Sequence, residues 1–149
     1  MLIGSYRRVA ALTKVWRDTV HATILQMSEV DALLLRRTLS SAGRSSALED
    51  AWLLCELTDV HDLSQRDLRA RLAKSASWVC RRLGLARDLP EEAQELVRAG
   101  HVPAQGAMKD LLVLARANGA GLFRLVTGLR GQRWSVRQIA ALCHGWHAV

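Results

Sequence analysis

The chain has 149 residues, half of them hydrophobic, and a net charge of +7 from 21 basic and 14 acidic side chains. That length allows one domain or two small ones with a core, and the basic excess points to a polyanionic partner, nucleic acid before membrane. No apolar run approaches the roughly 20 residues that span a bilayer, the opening MLIGSYRRVA lacks the order of a secretory signal, and the three widely spaced cysteines, Cys55, Cys80 and Cys143, fit reduced cytosolic thiols rather than a disulfide framework.

With two prolines and abundant Leu, Ala and Arg, the composition favours helix. After Gly4-Ser5-Tyr6-Arg7-Arg8, a short helix is expected over Val9 to Val15. Thr19 to Leu25 alternates and is rich in β-branched residues, the pattern of a strand. A lone strand needs a partner, so it pairs with another chain or belongs to a larger sheet. Ser28 can cap a helix running to about Leu39, with Asp31 at the capping-box position and Val30, Leu33 and Leu34 inward. The small-residue stretch Ser40 to Ser46 reads as a loop and a domain boundary, dividing the chain into residues 1–45 and 46–149. Ser46 caps the next helix with Glu49 three residues on, and its expected inner face is Leu48, Trp52, Cys55 and Leu57.

Leu63 to Leu89 is the most informative stretch. Ser64 and Asp67 form a capping-box-like start, since the serine hydroxyl can accept from the Asp67 N–H and the acid suits the positive helix end. Leu68 and Leu72 share a face, and Ala70 and Ala73 are small enough for a second helix to pack closely. Lys74-Ser75 breaks the pattern. Ser75 then caps a helix from Ala76 to about Ala86, with Val79 and Leu83 inward and Ala76, Ser77, Arg81 and Arg82 outward. Two crossed helices of this kind describe a helix-turn-helix. From Ser64 to Arg87 there are seven basic residues and one acid, so nearly all the excess charge of the chain lies here, as a phosphate-binding footprint requires.

Side-chain chemistry separates the roles. Ser77, Arg81 and Arg82 suit base edges in a major groove. Ser75 sits at the start of the same helix. Gln65, Arg66, Arg69, Lys74 and Arg87 suit phosphates. Trp78, in the first helical turn, could stack on a sugar or touch a thymine methyl, or it could pack against the preceding helix. Further on, Pro90 opens a helix with Glu91 and Glu92 in its first turn, and Gly100 ends it. Pro103 starts a helix carrying Met108, Leu111, Leu112 and Leu114 up to Asn118-Gly119. Another runs near Leu122 to Leu129 and stops at Gly131. Ser135 caps a last helix holding Val136, Ile139, Ala140 and Leu142, with Trp134 and Trp146 flanking it. No catalytic constellation is visible. Cys143-His144-x-x-His147 lacks the four ligands of a closed zinc site, so no metal is assigned.

The stretch Leu63-Ser64-Gln65, Leu72-Ala73-Lys74-Ser75, Val79, Leu83, Leu89-Pro90, then Glu95 to Val102, the Ala107 helix and Ser135-Val136-Arg137-Gln138 resembles the ParB/KorB family of partition DNA-binding proteins. Gly4-x-x-Arg7-Arg8 with Ala10-Ala11 is similar to that family's nucleotide-pocket box. The resemblance implies a mainly α fold: a multi-helix helix-turn-helix domain preceded by a short α/β remnant of the N-terminal nucleotide domain. It implies double-stranded DNA as partner, in partition or transcriptional regulation, a nucleoid-associated cytoplasmic location, and Arg137 as a further DNA contact. It also raises a homodimer on a palindromic site, a ParA-like ATPase partner through regions not matched here, and CTP held by Gly4, Arg7 and Arg8, with paired arginines supplying charge-assisted donors. Two departures count against CTP hydrolysis. Ser5 stands where the box has Glu, and RRTLSSAGR, residues 36–44, carries neither the Glu nor the Asn of the family's second patch. A nucleotide-switched clamp and a protein-interaction module are the rival readings. No enzymatic activity is expected.

Overall fold

The computed structural model describes residues 2–41 and 46–147. It is mainly helical, and its contacts divide it into two compact units, Met1–Ser45 and Ser46–Val149. Residues 42–45, the middle of the expected boundary loop, lie outside the described residues.

The first unit holds α1, Tyr6–Lys14, and α2, Glu29–Ser41. The Ser28 hydroxyl accepts from the Asp31 N–H at 3.1 Å and donates to its carboxylate at 2.7 Å, so the expected cap forms. The helix continues through Ser40 and Ser41, past the expected end at Leu39. The expected strand over Thr19–Leu25 does not form. Among the described residues nothing between 18 and 27 joins a backbone–backbone hydrogen bond, and Val20 and Ile24 are exposed. The alternating pattern is real, but ladder formation needs a second strand to satisfy the backbone, and the described part of this unit offers none. Only Ala32 and Leu33 are buried among its described residues.

The second unit is built on α3, Ala47–Asp59, and α5, Ala76–Arg87, which pack extensively on each other. α3 starts in a full capping box: Ser46 accepts from the Glu49 N–H at 3.1 Å and its own N–H donates to Glu49 at 2.7 Å. Its buried face is Leu48, Asp50, Ala51, Leu53, Leu54 and Leu57. Trp52, expected inward, is exposed, and Cys55 is half-buried. The sequence spacing misleads because α3 is covered over a broad arc, while the Trp52 indole N–H finds a polar partner at the rim, the Gln94 side-chain oxygen at 3.2 Å.

α4, Gln65–Leu72, crosses onto α5. α6, Glu91–Arg98, follows behind the Pro90 cap, and its chain turns at Gly100, whose φ of +76° suits glycine. A continuous helical run then combines α7, Ala104–Gly106, a π turn, Ala107–Leu111, and α8, Leu112–Ala117. α9, Gly119–Gly128, begins where the Asn118 side chain accepts from the Gly121 N–H at 2.8 Å. α10, Val136–His147, starts from the Ser135–Gln138 capping pair and packs on α7, the π turn and α8. Trp134 anchors the entry to α10: its indole donates to Leu129 O at 3.0 Å and its backbone N–H to His101 O at 2.8 Å. The core of this unit runs from Leu48 and Leu85 through Leu96, Leu111 and Leu122 to Ile139 and Cys143.

Candidate nucleic-acid interface

The α4–α5 pair is shaped by two caps and one turn. The Ser64 hydroxyl accepts from the Asp67 N–H at 3.2 Å and the Ser64 N–H donates to the Asp67 carboxylate at 3.0 Å. The Ser64 hydroxyl and backbone N–H together hold the Asp67 carboxyl below its ordinary value, with Arg71 and Arg66 adding a smaller pull. α4 ends at Ala73 in the left-handed region, φ 51°, and the Lys74 N–H closes back on Arg69 O at 3.2 Å. The Ser75 hydroxyl then accepts from the Trp78 N–H at 3.2 Å and opens α5. Leu68, Val79 and Leu83 are buried between the helices and Leu72 is half-buried. Each fully buried side chain of this size contributes up to about 1.5–3 kcal/mol.

Ala70 and Ala73, expected to sit where the helices touch, are exposed. They instead floor a shallow open hollow ringed by Arg66, Arg69 and Lys74. Their smallness leaves room there, and Leu68 carries the helix contact. Three cations around a concave surface can hold an anion the size of a phosphate. Gln65, Arg66, Arg69, Lys74, Ser75, Ser77 and Arg81 are all exposed. Arg81 lies along its own helix, with Nε donating to Ser77 O at 3.2 Å and Nη2 to Ser77 Oγ at 3.3 Å.

One basic residue departs from its expected placement. Arg82, expected outward, is turned into the molecule: its side chain is 17% exposed and its Nε lies 3.8 Å from the buried Asp50 Oδ2 of α3. Its Nη1 donates to Met108 Sδ of the π turn, and its guanidinium stands 5.0 Å from the Trp78 ring centroid. The physical reason is Asp50. A buried carboxylate needs a cation, and the fourth residue after Trp78 is the one whose side chain reaches it. Arg87 is partly exposed but donates to Thr58 Oγ1 at 2.7 Å and pairs with Asp59 at the end of α3. Sequence spacing could not find these partners, since they lie about thirty residues upstream. The only local signal was an acid, Asp50, inside an apolar helical run.

Trp78 is half-buried, and Lys74 Nζ also lies over its ring at 5.6 Å. Gln94 of α6 secures the far end of α5, donating to Ala86 O at 3.1 Å and Leu89 O at 2.9 Å. The Asp88 carboxylate accepts from Arg116 Nε at 2.8 Å and Nη2 at 2.6 Å. Arg137 is exposed in the first turn of α10.

In the first unit, Gly4 and Ser5 line a hollow with Val20–Leu25, Leu35 and Leu39, and its lining does not include Arg7 or Arg8, which are exposed on α1. Among the described residues no group of three or more His, Cys, Asp and Glu side chains could hold a metal ion. Cys143 is buried and His144 exposed, while the His147 side chain lies outside the described residues. No helix among the described residues is long and apolar enough to cross a membrane.

No family model matches the chain. It is 28% identical over 116 residues to a nucleoid occlusion protein of Shouchella clausii, covering 73% of this chain and 40% of the relative. It is 34% identical over 92 residues to the nucleoid occlusion protein of Bacillus licheniformis, covering 62% and 29% of the two chains. The Bacillus pumilus protein of the same name is 33% identical over 92 residues, covering 62% and 28%. The chain thus spans well under half the length of these curated relatives.

Proposed function

We propose that this chain binds double-stranded DNA with sequence preference through α4 and α5. The observation that carries this reading is the hollow ringed by Arg66, Arg69 and Lys74 beside the exposed first turns of α5. α5 enters the major groove with Ser77 and Arg81 at base edges and the exposed part of Trp78 against an apolar base feature. Arg66, Arg69 and Lys74 take phosphates, with Gln65 and Ser75 beside them and Arg137 as an additional contact. Arg82 acts from within the fold, and Arg87, exposed and braced on Thr58 and Asp59, is a further phosphate candidate.

The relatives' name supports a role tied to nucleoid occlusion, and a second copy on a palindromic site fits a helix-turn-helix. CTP turnover is not part of this function, because Ser5 and RRTLSSAGR depart from the residues that resemblance would require. Phosphate release from CTP in the presence of bound DNA overturns that point.

The test of the DNA reading is selection of bound sites from random duplex DNA, followed by a salt titration on the selected site. If Arg66, Arg69 and Lys74 each neutralise one phosphate, log K falls with log salt at a slope of about −3. A slope near zero, or no enriched sequence, sinks the proposal.

A further inference from the structure

Arg82 reaches two elements beyond its own helix, α3 and the π turn. Its guanidinium faces Asp50 of α3, Met108 of the π turn and the ring of Trp78 one turn earlier in α5. Asp50 is the buried charged residue of the described core, 5% exposed. Charge attraction draws the guanidinium toward Asp50, and the planar guanidinium in turn supports the indole face. Lys74 of the turn lies over the same ring. Arg82, reaching into the core, is the cation that holds Trp78 at the start of α5, while Lys74 is exposed at the surface.

We propose that Arg82 is a positioning residue for base recognition: anchored by Asp50, it sets the placement of Trp78, through which α5 discriminates one base position. The inference rests on the DNA-binding reading above. Arg82 itself touches neither base nor phosphate, unlike Arg81 one residue before it.

The test compares four variants with the parent in site selection and salt titration, the fourth combining the first and third. The first is the double variant Asp50→Leu/Arg82→Met, which removes both buried charges together, a replacement that folds often tolerate. The second is Arg82→Lys, which keeps a charge near Asp50 but loses the planar stack on the indole. The third is Trp78→Leu. Both Arg82 variants are expected to lose roughly tenfold in discrimination at one base position, the same position that Trp78→Leu relaxes. Adding Trp78→Leu to the double variant should change that position no further, and the salt slopes of the Arg82 variants should equal the parent's. An unchanged base preference in Arg82→Lys, or in a folded double variant, overturns the proposal. A slope shallower by about one does so too, because it makes Arg82 a phosphate contact. Failure of the parent itself to select any sequence overturns the DNA reading instead, and the inference falls with it.

Discussion

Arg81 folds back onto Ser77, donating from Nε to the backbone oxygen at 3.2 Å and from Nη2 to the hydroxyl at 3.3 Å. Both residues are exposed, so this arrangement costs little to open. A guanidinium parked over the first turns of α5 can swing out to a guanine edge, and the Ser77 hydroxyl it leaves becomes free to bond.

Arg81→Ala and Lys74→Ala are therefore expected to fail differently. Loss of Arg81 should cost about 1–3 kcal/mol on the preferred site and relax one base position. Loss of Lys74, on the rim of the cationic hollow, should weaken all sequences alike and make the salt slope shallower by about one. Site-selection profiles at two salt concentrations read both effects. If Lys74→Ala alters base preference and Arg81→Ala does not, the groove-facing surface of α5 is misassigned by about a turn.

The turn between α4 and α5 runs through Ala73 at φ 51°. Alanine there has a Cβ crowded against the following carbonyl, costing about 1–2 kcal/mol, partly offset by the lower entropy of the unfolded chain relative to glycine. Ala73→Gly should leave stability unchanged or raise it by up to about 1 kcal/mol. Urea unfolding measures this, and a loss of more than 1 kcal/mol would mean the left-handed cap is not what the turn requires.

α5 passes close to α8 at Gly84, where an added Cβ would lie 3.1 Å from Leu112 Cδ1 and 3.1 Å from Arg116 Nη2. The arginine end can move aside, but Leu112 is buried. Gly84→Val should destabilise the protein by about 1–3 kcal/mol through overpacking. A thermal melt equal to the parent's would show that the two helices separate easily.

Cys143 is buried against the π-turn core, and desolvation, with a smaller push from the Asp110 charge, raises its thiol from 9.0 to about 11. The unfolded thiol ionises near its ordinary value. Its contribution to stability is thus fully present below about pH 9 and is lost as pH rises from 9 through about 11. Cys143→Ala should be less stable at neutral pH but should lack this part of the alkaline decline. Urea titrations of both proteins across that window check the sign, and parallel curves would contradict it.

Local chemistry made much of this protein legible in its residues. The caps at Ser28, Ser46, Ser64, Ser75 and Ser135, the breaks at Gly100 and Gly131, and the inward Leu68, Val79 and Leu83 all depend on neighbours three or four residues away. The packed α4–α5 pair follows from them. The pattern at Thr19–Leu25 was equally clear but formed no strand, because a ladder is a property of two segments. Side-chain destinations were likewise decided only by tertiary structure. Trp52 turned to the rim, where Gln94 meets its indole, and Ala70 and Ala73 became the floor of a cationic hollow. Arg82 and Arg81 are adjacent and chemically identical in sequence. One faces solvent and the other is drawn inward, because Asp50, buried on a helix 32 residues upstream, requires a compensating charge.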